Sequence, residues 1–316
     1  MLKAIYKQLP WMLALFVLGP IAGHLTAGLR AADGSGDATL LVGASPGMGV
    51  LAGVVTLAFA AAAGVFAARV NGCRSGLNSA GLVLAWAASQ TATVKSILRL
   101  AEGPGPLVPL AAEGLVFCLA AAPVAAVIWQ AGLGRGLHAA AHPLPDGSPA
   151  LRAWLTRGQH GARGLRGEHE ALAAALLRAV IRPAGLAAIG ITVAVGAGVC
   201  WLVAQDTLKG QAIFAAAAAG VVAVPLGRLA GEALGEQPPM AAFFLGTALL
   251  ALLGPLTAYG VHGGNVIPTL YSGDLIGVAA PVTLDWAAGA FLGIPIGEAW
   301  FVSMFRQHPA PAAASR

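Results

Sequence analysis

Eight stretches of this chain are long and apolar enough to cross a lipid bilayer, and no other feature constrains its fold so strongly. A helix needs about 20 mostly apolar residues to span the hydrocarbon core. The stretches run over residues 11–29, 47–68, 77–98, 107–132, 184–204, 211–229, 239–259 and 284–305, the third being the most polar. They are continuous rather than alternating, which disfavours a closed β-barrel. Charged residues make up 10% of the 316 and hydrophobic residues 58%, against about 25% charged in an average soluble domain. So few charges cannot cover the surface of a soluble protein of this length. The expected fold is all-α, a polytopic transmembrane bundle of about eight spans, divisible into two four-helix halves.

Orientation follows from lysines and arginines near the span ends. Lys3, Lys7, Arg69, Arg74, Arg135, Arg152, Arg157, Arg163, Arg166, Arg178, Arg182, Arg228 and Arg306 fall on one side if both termini are cytoplasmic. The other side carries Arg30, Lys95, Arg99 and Lys209, with Asp33, Asp37, Glu102 and Asp206 nearby. This predicts a multi-pass protein of the cytoplasmic (inner) membrane with both ends inside. The weak small-residue site at Ala27-Gly28-Leu29 and the near-bilayer length of the first run argue for a retained helix over a cleaved leader. The net charge of +5 and pI of about 9.5 fit an anionic leaflet rather than nucleic acid.

The expected organisation is a four-span half over 1–134, a basic linker over 135–182 and a second four-span half over 183–316. In the linker, Ser148-Pro149 reads as a helix start, and Leu151, Trp154 and Leu155 share a face flanked by Arg152 and Arg157. That pattern suits an amphipathic helix on the membrane surface, anchored by Trp154 and facing anionic lipid. A duplication is hinted at by Ala60-Ala-Ala-Ala-Gly-Val-Phe-Ala67 and Ala216-Ala-Ala-Ala-Gly-Val-Val-Ala223. Parallel repeats of this kind occur in transporters. Glycine and alanine are abundant, as expected where helices associate through close contact of small faces; Gly43, Gly47, Gly49, Gly53, Gly185, Gly190, Gly196 and Gly198 are candidates.

Polar groups within spans are costly and mark candidate sites. Gln90, Thr91 and Lys95 lie in the third stretch, and the four-residue spacing of Thr91, Lys95 and Arg99 puts them on one helical face. Glu113 lies about two turns into the fourth, at a depth where an ion pair with Lys95 is expected. Glu298 follows the helix-loosening Gly293-Ile-Pro295-Ile-Gly297, and either snorkels or pairs with Arg306. His24 follows Gly19-Pro20 and Gly23. The long connection 260–283, which includes Asn265, reads as a capping loop or a re-entrant hairpin. The segment from Asn265 to Glu298 resembles the last spans of oligopeptide-type transporters, but this chain is far shorter and no residue role is carried over.

Cys73, Cys118 and Cys200 have no metal or disulfide spacing. No phosphate-binding Gly-Lys-Ser/Thr string, His-Glu-x-x-His motif or Gly-x-Ser-x-Gly elbow occurs. No catalytic residue, cofactor or metal ligand is therefore assigned, and an enzyme is disfavoured. Two functions remain: a transporter for a small polar solute or ion, with Gln90, Thr91, Lys95, Glu113, Glu298, His24 and Asn265 along its path, or a non-catalytic subunit that binds partner membrane subunits.

Overall fold

The computed structural model describes residues 2–29, 39–43, 45–139, 177–206 and 208–305. The amphipathic pattern around Trp154, most of the basic linker, and Arg306 lie outside them. The described chain is helical, and seven helical stretches are long and apolar enough to cross a membrane. It is a multi-pass, all-α bundle.

The first traverse joins α1 (Leu2–Leu13) to α2 (Gly19–Ala27) through a π-helical turn at Ala14–Leu18. Pro20 has no N–H to donate, and the Gly19 N–H reaches back to the Ala14 carbonyl, one residue beyond the α-helical register. A proline-induced mismatch is thereby absorbed without ending the helix. After it come α3 (Pro46–Asn71) and α4 (Cys73–Ser89), joined at Gly72, whose φ of 93° only glycine adopts easily. The chain continues through a short helix α5 (Val94–Ala101), then α6 (Leu107–Ala139), α7 (Pro183–Val203), α8 (Lys209–Ala233), α9 (Met240–His262), a short α10 (Val266–Ser272) and α11 (Thr283–Phe305).

The third apolar stretch is not one helix to Leu98. It stops at Ser89, and the backbone turns through Gln90–Ala92 before restarting at Val94. The cause is local. Thr93 caps α5 by accepting from the Ser96 N–H, and the Ser96 hydroxyl reaches back to the Thr93 N–H, a reciprocal capping box. Ser and Thr compete for backbone groups and favour such restarts over continuation. At 17 residues, α4 is shorter than the seven long helices, yet it returns antiparallel along α3, with Gly64 and Gly76 face to face. Thr91 therefore precedes α5, and only Lys95 and Arg99 share its face.

Chain direction sorts the bundle into two ends. Lys7, Arg69, Arg74, Arg178, Arg182 and Arg228 gather at one, where the Asn71 side chain donates to the Lys7 carbonyl. Lys95, Arg99 and Lys209 lie at the other, called here the Lys209 end. The connection 260–283 belongs to that end. It is helical as far as Ser272, passes through an exposed turn at Gly273 and Asp274, and is buried from Gly277 on, with Gly277 against Cys200, Trp201 and Ala204 and Gly254 against Val278.

At the centre is α11. From Thr283 to Phe291 every residue is buried, so neighbours surround it on all sides. It runs parallel to α8. Gly289, Gly293 and Gly297, spaced by four, lie on Ala216, Ala217, Gly220 and Val221. These are interlocking rows of small residues, the close approach that helices in lipid depend on. Of the other glycines expected at interfaces, Gly49, Gly53, Gly185 and Gly196 are tightly packed, whereas Gly47, Gly190 and Gly198 meet nothing within 4 Å.

Candidate functional site

Two ion pairs join α8 to α11, one near each end; the Arg228–Glu298 pair is buried, and in the other Asp285 is buried and Lys209 partly so. At the Lys209 end, Lys209 Nζ lies 2.9 Å from Asp285 Oδ1 and 3.0 Å from Oδ2. It also donates to the Ala92 carbonyl at 3.2 Å, which the break in the third stretch leaves without a helical partner. Asp285 is fully buried in the first turn of α11, where its Oδ2 accepts the Val282 N–H and so caps its own helix. A carboxylate at a helix N-terminus is favoured by the helix dipole as well as by the ammonium.

Glu113 is buried at the same end of the bundle and makes no ion pair with Lys209. Its own contacts are elsewhere: it accepts from the Thr39 hydroxyl at 2.7 Å, the Leu41 N–H at 2.6 Å and the Leu40 N–H at 3.3 Å. These bonds fasten the strap 39–43 across the bundle, with Leu40 buried against Gly49, Gly53 and Phe117. The expected Lys95–Glu113 pair does not form. Because α4 stops at Ser89, Lys95 sits on the cap helix α5 rather than beside α6. Among the described residues it makes no ion pair.

Lys95 instead lines a cavity of about 290 Å³ at the Lys209 end, with Gln205, Asp206, Tyr271, Ser272 and the buried Ala204 and Ala280. Asp285 lies five residues along the chain from Ala280, towards the bundle interior. Two buried polar atoms flank it in sequence without a hydrogen-bond partner among the described residues: Thr283 Oγ1 and Trp286 Nε1.

At the opposite end, Arg228 Nε donates to Glu298 Oε2 at 2.8 Å. The guanidinium also donates to the Pro238 carbonyl at 2.7 Å and stands 5.8 Å from the centre of the Phe243 ring. Glu298 thus neither snorkels nor stands alone. Its partner is the arginine ending the sixth stretch, brought alongside by the parallel packing of α8 and α11. Gln90 and His24 meet in a third place, a shallow groove of about 230 Å³ with Pro20, Gly23, Ala27 and Trp86. Thr91 is buried and donates to the Ala88 carbonyl. Asn265 is exposed at the kink between α9 and α10.

The seven candidate residues are therefore distributed over several places. Lys209 and Asp285 were not among them. Both look like span-boundary charges in sequence, and only the packing of α8 on α11 brings them together, with Asp285 buried and Lys209 partly so. No group of three metal-ligating side chains occurs among the described residues. No family model matches the chain, and no similar curated protein or solved structure was found.

Proposed function

We propose that this membrane protein is a transporter for a small polar solute or ion, with its entry at the Lys209 end. One observation carries the reading: the Lys209–Asp285 ion pair, largely enclosed between α8 and α11, lies at the same end of the bundle as a polar cavity lined by Lys95, Gln205 and Asp206. Charges at depth are expensive and are retained mainly where they act on a solute or hold structure. The unpartnered Thr283 hydroxyl and Trp286 N–H beside Asp285 add hydrogen-bonding capacity that a passing solute would use. In this reading the Arg228 end is cytoplasmic, since it collects the larger set of arginines and lysines. The basic linker 135–182 then faces the anionic leaflet of the inner membrane.

The test is flux in reconstituted vesicles. Purified protein is loaded with a panel of amino acids, sugars and inorganic ions, and counterflow of each is measured. The Lys209→Met, Asp285→Asn double variant removes both charges and strands neither; it should fold and lose flux. Absence of counterflow for every solute, relative to empty vesicles, refutes the proposal.

A second reading, a non-catalytic subunit of a larger membrane complex, draws on the dry interlocking of α8 and α11 through Gly289, Gly293 and Gly297. Purification from native membranes separates the two. A stoichiometric partner chain, together with silent vesicles, favours the subunit.

A further inference from the structure

The fourth helix of each half carries the same spaced signature. In α6 it is Pro109, three residues, Glu113, nine residues, Pro123; in α11 and the residue pair preceding it, Pro281, three residues, Asp285, nine residues, Pro295. Both acids are buried near the Lys209 end, and both accept backbone N–H groups.

The packing repeats as well. In each half the first traverse packs on the third: Gly23 of α2 meets Trp86 of α4, and Gly246 of α9 meets Thr192 of α7. The second packs on the fourth: Gly53 of α3 meets Phe117 of α6, and Gly220 of α8 meets Ile294 of α11. Between halves the third helix of each meets the fourth of the other, Gly81 of α4 against Leu292 of α11 and Gly114 of α6 against Ala251 of α9. That reciprocal exchange is what a two-fold axis along the bundle produces, with α6 and α11 in contact beside it. A short cap helix separates third from fourth in both halves, and the two caps share one apolar cluster, with Ile97 and Leu98 of α5 beside Val266 and Leu270 of α10. The halves differ in which hairpin their second helix closes: α3 packs closely on α4 and only lightly on the first traverse, while α8 packs closely on α7 and has little contact with α9.

We propose that the chain is two four-helix repeats about this axis, and that Glu113 and Asp285 are equivalent acids served by a single cation, Lys209, which can pair with either. In the state seen, Lys209 is with Asp285, and Glu113 is occupied by the strap. Transfer of Lys209 to Glu113 would draw that carboxylate from the Thr39 hydroxyl and the Leu41 N–H and loosen the strap. One ammonium between two equivalent acids thus links pairing at α11 to opening over α6. The inference rests on the repeat, on the equivalent burial of the two acids at one end and on the contact of their helices, and stands whether or not the protein transports.

Its test is a set of charge variants in the full chain, read as the yield of monodisperse protein in detergent. Asp285→Asn should fold, because Glu113 takes the stranded ammonium, and Glu113→Gln should fold with Lys209 still on Asp285. The Glu113→Gln, Asp285→Asn double leaves the largely enclosed Lys209 ammonium without a carboxylate, and its yield should fall about ten-fold or more. Adding Lys209→Met should restore it. A second readout follows the strap. With the three native cysteines replaced, a cysteine at Leu40 should react with a maleimide several-fold faster in Asp285→Asn than in the parent. In Lys209→Met, Asp285→Asn it should be slow again. The proposal is overturned if Asp285→Asn itself fails to fold, if the double variant is no worse than its singles combined, or if strap labelling ignores Asp285.

Discussion

Replacing Gly289 by alanine should weaken the bundle by forcing its two central helices apart. A Cβ at this position would sit 2.5 Å from the Ala216 carbonyl carbon and Cβ, and 2.8 Å from the Ala217 nitrogen. The obstruction is mostly backbone, which cannot rotate away as a side chain tip can. Ordinary carbon contacts lie near 3.5–4.0 Å, so α8 and α11 must separate by about 1 Å. Overpacking of this kind costs about 1–3 kcal/mol, and a backbone obstruction points to the upper end. Alanine recovers about 1 kcal/mol of helix propensity, so a net loss of roughly 2 kcal/mol is expected. The separation also strains the Lys209–Asp285 and Arg228–Glu298 pairs, which cross the same interface. The control is Gly190→Ala in α7, where the new methyl meets nothing within 4 Å and only the propensity gain of up to about 1 kcal/mol applies. Unfolding of both variants and the parent, followed by circular dichroism in mixed micelles with increasing SDS, should place them on opposite sides of the parent. Equal stability of the two variants would refute the assignment of Gly289 to a close helix interface.

At the opposite end, Glu298→Gln should destabilise by about 3–5 kcal/mol by leaving the Arg228 guanidinium buried without its carboxylate, and Arg228→Met, Glu298→Gln should recover much of the loss; strict additivity in the same denaturation assay would contradict a coupled pair. In the folded protein a maleimide should modify Cys73, which is partly exposed, and leave the buried Cys118 and Cys200 until SDS is added, as counted by intact mass. Single cysteines at Gly72 and Gly235, in turns at the Arg228 end, should label from the side opposite to one at Gly264; labelling of all three from one side would invalidate the traverse count. Lys95→Ala should leave the unfolding midpoint unchanged, because Lys95 rides on α5 without an ion pair among the described residues, yet it should weaken any solute flux that enters through the cavity it lines.

The membrane character, the all-helical class and the approximate limits of seven long helices were legible along the chain, because each depends on a run of neighbouring residues whose hydropathy simply adds up. The break after Ser89 was legible in principle as well. The Thr93–Ser96 capping pair is a local signal, hidden because hydropathy averaged over a bilayer-length window hardly registers four residues. What tertiary structure decided was which charges meet. Glu113 was singled out by its depth in a span, but its partners are a hydroxyl and two N–H groups in the strap 39–43, far away in sequence. Lys209 and Asp285 sit at the first turns of their helices, where a charge is ordinarily exposed. They meet, with Asp285 buried and Lys209 partly so, because three glycines in register draw α11 against α8 along its length. Arg228 and Glu298 meet for the same reason. Hydropathy is a property of a segment and survives any arrangement of the segments. An ion pair between helices is a property of their relative rotation and offset, which the fit of small faces sets and no single segment records.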